Sequence, residues 1–142
     1  MTDIFDIVVL GAGSSGISVA MSGADFGARV CIVEMDRIGG SQLRKGFYPI
    51  KSAIRFLKNK ESGAKIDEVV NAELLNDNIN KSMMSLSEKW EKDLIQSGVT
   101  IIKGIGTLSS SGIITVETNK KSIDIRAQKI IIATGSKPIA LP

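Results

Sequence analysis

Residues 4–16, Ile-Phe-Asp-Ile-Val-Val-Leu-Gly-Ala-Gly-Ser-Ser-Gly, join a short apolar run to a turn of the form G-x-G-x-x-G. The density of Ile and Val in Ile4–Leu10 suits a strand buried on both faces of a parallel sheet. Beyond the turn, residues 13 to about 27 read as a helix whose small residues Gly16, Ala20, Gly23 and Ala24 let it lie close to that sheet. Arg29–Glu34 (RVCIVE) is a second apolar strand. Strand, tight turn, helix and strand within about 30 residues make a βαβ unit.

In that setting each glycine has a task. Gly11 permits the tight turn, Gly13 lets backbone approach a pyrophosphate, and Gly16 permits close helix–strand packing. The N–H groups of Ser14, Ser15 and Gly16 open the helix and face an anion, with the helix dipole adding to the attraction. Glu34 ends the second strand 18 positions beyond Gly16. A carboxylate there accepts hydrogen bonds from both hydroxyls of an adenosine ribose and repels a 2′-phosphate, which argues against NADP. The pattern fits a dinucleotide-binding loop, or a scaffold that keeps the shape and binds nothing. By itself it does not separate NAD from FAD.

The rest of the chain changes period. Ile50 to about Lys60 has helical composition, with a stop near Gly63. Residues 76–97 form the longest helix candidate, with Ile79, Met83, Leu86, Trp90 and Leu94 on one apolar stripe that Gly98 closes. From Val99 onward come short β runs, VTIIK, GIITVET, SIDIRA and KIIIAT, with turn signals at 109–112 and 118–121. Alternation at Ile123 and Ile125 suits a half-exposed hairpin, whereas Ile130–Ile132 is continuous and belongs in the buried parallel sheet. The expected fold is α/β: a Rossmann-like parallel sheet with flanking helices and a small inserted antiparallel β-meander over residues 105–126.

Bulk composition narrows the function classes. With 142 residues the chain fits one domain that buries a real core. A net charge of +3 with interleaved acids gives no reason to expect a nucleic-acid partner. Cys31 stands alone, which excludes an internal disulfide and fits a reducing, cytoplasmic setting; it is expected to pack as a small apolar residue. The absence of histidine removes the commonest general base near neutral pH. No secretory signal is read at the start. No apolar run approaches the roughly 20 residues that span a membrane, and no membrane partner is expected. No metal site and no catalytic residue are assigned.

Three further stretches carry a resemblance. The doublet Gly39-Gly40 follows Glu34 by five residues; residues 39–51 read GGSQLRKGFYPIK; residues 129–142 read KIIIATGSKPIALP. Together with the glycine loop, and in this order, they resemble the FAD domain of the pyridine nucleotide-disulfide oxidoreductases of the dihydrolipoamide dehydrogenase and glutathione reductase type. That family carries GG-T-C-x-x-x-x-C-x-P-S-K where this chain has Gln42 and Phe47 at the cysteine positions, Ile50 for the serine and Arg44 for an asparagine. The resemblance implies FAD as cofactor. It places Gly11, Gly13, Ser14, Ser15 and Gly16 on the pyrophosphate and Glu34 at the ribose, and counts Met35 among the cofactor-binding residues. Gly106 would border the adenine, Gly40 and Ser41 would lie along the cofactor, and Ala133, Thr134 and Gly135 would pass beside it before Pro138 and Pro142 lead the chain away. Lys51 matches the lysine near the flavin ring; read from composition alone, it is a solvated lysine on a basic face with Arg55 and Lys58.

The missing cysteines exclude a thiol relay but not flavin chemistry. The resemblance also implies that residues 1–142 are the N-terminal part of a longer architecture with NAD and interface domains. Turnover by this chain alone is therefore not expected, and the parallel sheet would lack its last strand. Such an edge invites self-association, so the expected partners besides FAD are a second copy in a homodimer or a chain carrying the missing domains. A non-catalytic ADP- or nucleotide-binding module, or one half of a split flavoprotein, is the alternative.

Overall fold

The structure, a computed structural model, describes residues 3–61, 72–110, 112–137 and 139. In chain order the elements are β1 (Asp3–Leu10), α1 (Ser14–Asp25), β2 (Val30–Glu34), α2 (Gly40–Arg44), α3 (Phe47–Glu61), α4 (Ala72–Gln96), β3 (Thr100–Lys103), β4 (Ile105–Ser110), β5 (Ile113–Glu117) and β6 (Ser122–Ile132). They form one six-stranded sheet in the order β3-β2-β1-β6-β5-β4. The pairs β1–β2, β2–β3 and β1–β6 are parallel; β4–β5 and β5–β6 are antiparallel.

The apolar runs of β1 and β2 are continuous because both faces of the sheet are covered. Val9, Val30 and Ile32 point to one side and pack with Ile17 and Ala20 of α1, Leu94 of α4 and Ile38. Val8, Leu10, Cys31 and Val33 point to the other and meet Ile114, Val116 and Ile125 of the meander. Helices thus cover one face and the β4–β5–β6 meander covers the other. Burial of these side chains stabilises the fold at about 25 cal/mol per Å² of apolar surface removed from water.

The expected parallel sheet with an antiparallel meander is present, with one difference of organisation. SIDIRA and KIIIAT are not two strands but one, β6, which pairs antiparallel with β5 over Ser122–Arg126 and parallel with β1 from Ile125 to Ile132. The polar pair Gln128-Lys129 looks like a break in the sequence. The Gln128 side chain instead stays at the surface and donates to Asp6 Oδ1 at 3.0 Å, so the strand runs through. The outer side of β6 beyond Arg126 has no partner strand among the described residues.

Helix limits shift modestly. α3 starts three residues earlier than read because Pro49 sits in its first turn, where the missing N–H costs no intrahelical bond. α4 begins at Ala72, ahead of the reading from 76. The stretch 40–44, read as no element, is the short helix α2, entered through Gly39 and Gly40 at φ of 117° and 63°. The turn at 118–121 is fastened by Thr118, whose hydroxyl donates to Lys121 O at 2.6 Å and accepts from the Lys121 N–H at 3.1 Å. Gly63, Ser111, Pro138 and Pro142 lie outside the described residues.

Candidate dinucleotide site

The site is built where β1 ends and α1 begins, at the carboxyl edge of the parallel strands. Gly11 N–H donates to Val33 O and Ala133 N–H to Leu10 O, both at 2.8 Å, so the ends of β1, β2 and β6 are tied together. Gly16 packs so tightly that a Cβ there would collide with the Gly11 carbonyl. Gly13 is different. It is the N-cap of α1 with φ −73° and ψ −178°, an extended conformation any residue adopts, and a Cβ placed on it would meet nothing within 4 Å. Nothing inside the chain requires glycine at this position.

The start of α1 is also bare. No side chain caps it and no acidic residue lies in its first turn. The first N–H groups of a helix have no intrahelical acceptor and attract anions. Gly40 closes the loop from above: a Cβ on it would stand 2.8 Å from Gly13 Cα, and the neighbouring Gly39 N–H donates to Ala12 O at 2.8 Å. The loop and the Gly39-Gly40 doublet, 26 residues apart, therefore form one surface.

Glu34 is buried with 7% of its surface exposed. Its Oε2 accepts from the Ala12 N–H at 2.6 Å and its Oε1 from the Asp36 N–H at 2.9 Å. An ionised carboxylate offers about four lone-pair sites, so both oxygens keep capacity for further donors. Beyond Glu34 an open cleft of about 530 Å³ is lined by Met35, Asp36, Gly104 and Ile105, and by Glu117, Thr118 and Asn119 of the β5–β6 hairpin. Gly104 N–H donates to Glu34 O at 2.9 Å and anchors this wall. Gly106 sits behind it, with the position of a Cβ 2.8 Å from Leu10 Cδ2.

The structure thus brings Gly11, Gly13, Ser14, Ser15, Gly16, Glu34, Met35, Gly40, Ala133 and the Gly104–Gly106 strand start into one region. Thr134 and Gly135 follow Ala133 as exposed, irregular chain, Gly135 with φ 75°. Ser41 is exposed in α2. Lys51 lies on the exposed side of α3, its ammonium 4.3 Å from the Phe47 ring centroid. Phe47 is edge-on to Tyr48, and Tyr48 to Trp90, at centroid distances of 5.8 and 5.6 Å.

Sequence reasoning assigned no role in the site to three features. The Asp36–Arg44 ion pair fastens α2 to the loop after β2. Glu117 and Asn119 reach the cleft only through the hairpin. Their local sequence reads as an ordinary turn, and no signal in it points to a nucleotide. Ala12 contributes a backbone N–H, which leaves no mark in the sequence.

The sequence model of the pyridine nucleotide-disulphide oxidoreductases matches residues 5–142, nearly the whole chain. The chain belongs to that family. Among curated members of the family, a dihydrolipoyl dehydrogenase of Chlamydia pneumoniae is 32% identical over all of this chain and 32% of its own length. A glutathione reductase of Nostoc is 33% identical over 98% of the chain and 31% of its own length. A soluble pyridine nucleotide transhydrogenase of Marinomonas is 31% identical over 94% of the chain. In fold, the chain matches a flavoprotein disulfide reductase of Escherichia coli, seen as a Cu(II) complex, with a TM-score of 0.84 at 21% identity, over 100% of this chain and 31% of that one.

The chain therefore spans about a third of the length of the family members it matches. Those members imply FAD as the family's cofactor. With Cys31 as its single cysteine, buried in the sheet, the chain holds no cysteine pair. Burial pushes the Cys31 thiol up to about 12, with the Asp3 carboxylate adding to the effect. Among the described residues no helix is long and apolar enough to cross a membrane, and no cluster of acidic residues and cysteine could hold a metal.

Proposed function

We propose that residues 1–142 are the N-terminal part of the FAD-binding domain of a dihydrolipoamide dehydrogenase-like flavoprotein oxidoreductase. The observation that carries this reading is Gly13: a glycine with ordinary backbone angles, open space at its Cβ position, and uncapped N–H groups beside it. A pyrophosphate fits that cradle in shape and charge, and a side chain would fill it. The Ser14, Ser15 and Gly16 backbone attracts the anion. Glu34 accepts the ribose hydroxyls on the lone pairs left by Ala12 and Asp36. Met35 and the strand around Gly106 border the adenine, while Gly40, Ser41, Thr134 and Gly135 flank the extended cofactor.

Bound FAD supplies hydride or one-electron transfer. In a complete enzyme the reaction would be hydride transfer between a nicotinamide and FAD, with Lys51 favouring negative charge on the flavin ring. No thiol relay follows, since Gln42 and Phe47 hold the cysteine positions. This chain alone is proposed not to turn over; a homodimer, or a partner chain with the NAD and interface domains, would complete it. A reducing, cytoplasmic setting suits its lone buried thiol. Titration with FAD tests the reading. Quenched flavin fluorescence and a raised melting temperature are expected; neither effect at high micromolar FAD sinks it.

One observation favours a second reading, a non-catalytic ADP-binding module. The elements for the adenosine and pyrophosphate are contiguous, whereas Lys51 rests on Phe47 at the surface of α3. That reading predicts equal stabilisation by ADP, NAD and FAD, and a clear preference for FAD rejects it.

A further inference from the structure

We propose that Glu117 and Asn119, at the turn between β5 and β6, select the base of the bound nucleotide, taking adenine over a purine with a carbonyl in place of the amine. Their role rests on the nucleotide reading and extends it to the base. Glu34 holds the ribose in that reading, and the cleft lining begins with the next residue, Met35, so a base attached to the ribose enters the cleft. Met35 and Ile105 line it and are 66% and 55% exposed, although both are large apolar residues. A flat base lying on them removes that apolar surface from water.

Hydrogen-bond accounting picks out these two residues. Among the described residues, the polar side chains that line the cleft are Asp36, Lys103, Glu117, Thr118 and Asn119. Asp36 is paired with Arg44, and the Lys103 ammonium lies 3.4 Å from a Glu91 carboxylate oxygen. The Thr118 hydroxyl donates to Lys121 O and accepts from the N–H groups of Lys120 and Lys121. No hydrogen bond or ion pair within the described chain engages the side chains of Glu117 and Asn119. Their backbone, in contrast, is firmly held. Glu117 pairs with Ile105 on one side and Ser122 on the other, and a Cβ on Gly104 would collide with the Glu117 carbonyl. Thr118 N–H donates to Lys121 O at 3.0 Å and closes the turn. Two unmatched polar side chains thus stand on a fixed wall beside an apolar slot.

The chemistry of the pair fits adenine. That base carries an exocyclic amine next to a ring nitrogen that accepts a hydrogen bond. A carboxylate only accepts, whereas a carboxamide also donates. Glu117 therefore takes the amine and Asn119 donates to the ring nitrogen. Hypoxanthine has a carbonyl in place of the amine and an N–H in place of the ring acceptor. In the same seat it sets oxygen against carboxylate and donor against donor. A site built to hydrogen-bond a ligand group rejects the analogue that lacks it, because its own polar groups are left unpaired. Phosphate is a poor occupant of this cleft. Lys103, the basic residue among its described lining, is already held by Glu91, and Glu117 adds an unpaired acid. Phosphate is thus directed to the start of α1 and the base to the cleft.

Calorimetric titration of the full chain with ADP and with inosine diphosphate, whose base is hypoxanthine, is the test. Wild type should bind ADP at least about tenfold more tightly than inosine diphosphate. Glu117→Ala and Asn119→Ala should each cut that ratio to about threefold or less, by weakening ADP alone. Both variants should keep the wild-type melting temperature. Glu117→Lys, which offers a donor to the carbonyl, should turn the preference toward inosine diphosphate. A merely structural turn would weaken both nucleotides equally. That result, a wild-type chain with no preference for ADP, or an unchanged ratio in either alanine variant overturns the proposal. ADP binding that ignores the turn leaves the nucleotide reading standing, whereas a chain that neither ADP nor FAD stabilises sinks both.

Discussion

The loop from Gly11 to Glu34 and the segment from Gly40 to Leu57 adjoin each other, yet they are built on opposite terms. In the first, almost every group is accounted for within the chain: Gly11, Ala12 and Ala133 donate to or receive from neighbouring strand ends, and Glu34 is buried with both oxygens engaged. One position, Gly13, is left open. In the second, large apolar and cationic side chains of α3 point outward, and α2 is held by buried Leu43, one ion pair and a glycine doublet. The difference marks where a functional signal lies. An open position beside uncapped N–H groups in an otherwise closed loop points to a small anionic ligand.

Substitutions can break this contrast, and the largest effect is expected at Gly16. Gly16→Val drives a side chain into the Gly11 carbonyl, where only backbone can move. A loss of about 3 kcal/mol or more is expected, enough to unfold much of a marginally stable domain; circular dichroism melting would measure it. Gly13→Val should do the reverse of this. Stability of the free protein should stay within about 1 kcal/mol of wild type, while stabilisation by FAD or ADP disappears. A strong destabilisation by Gly13→Val would show that the open position is structural and remove the contrast.

Glu34→Gln sharpens the first region further. A carboxamide has one acceptor oxygen for two N–H donors, so one buried donor is left unmatched at a cost of about 1–3 kcal/mol. Ribose hydroxyls would also lose an ionised acceptor, so nucleotide affinity should fall together with stability. Denaturant titration with and without nucleotide checks both.

Cys31 gives the smallest effect and concerns only the closed region. Its thiol is raised from 9.0 to about 12 in the folded chain. As pH climbs past 9.0 the unfolded chain loses this proton first, so the folded state is progressively disfavoured up to about 12. Below that window the contribution is constant. Wild type should therefore lose more stability than Cys31→Ala between about pH 8 and pH 10, and alkylation of the native thiol should be slow. Equal losses would mean that the sheet interior opens readily at β2.

Much of the fold was legible because its signals are local. Continuous apolar runs in β1 and β2, small residues along α1 and the stripe from Ile79 to Leu94 each follow from one element's period. Gly11, Gly13, Gly16 and Glu34 were legible for the same reason, since a tight turn and a strand end constrain residue type over a few positions. What escaped was non-local. Whether Gln128-Lys129 ends a strand depends on Asp6, 122 positions away in the chain. The cleft wall at Glu117–Asn119 depends on where the meander folds back over the sheet.

The sequence by itself determined the βαβ unit, the phosphate-loop pattern, the acid at the end of β2, the loss of any cysteine pair and the family resemblance. These rest on residue type and short-range spacing. The tertiary structure alone decided that Gly13 has no packing reason to be glycine while Gly16 does. It also decided that α3 turns its apolar stripe outward and that β6 serves both halves of the sheet. Each of these depends on what occupies the space around a residue, and that space is filled by segments distant in the chain.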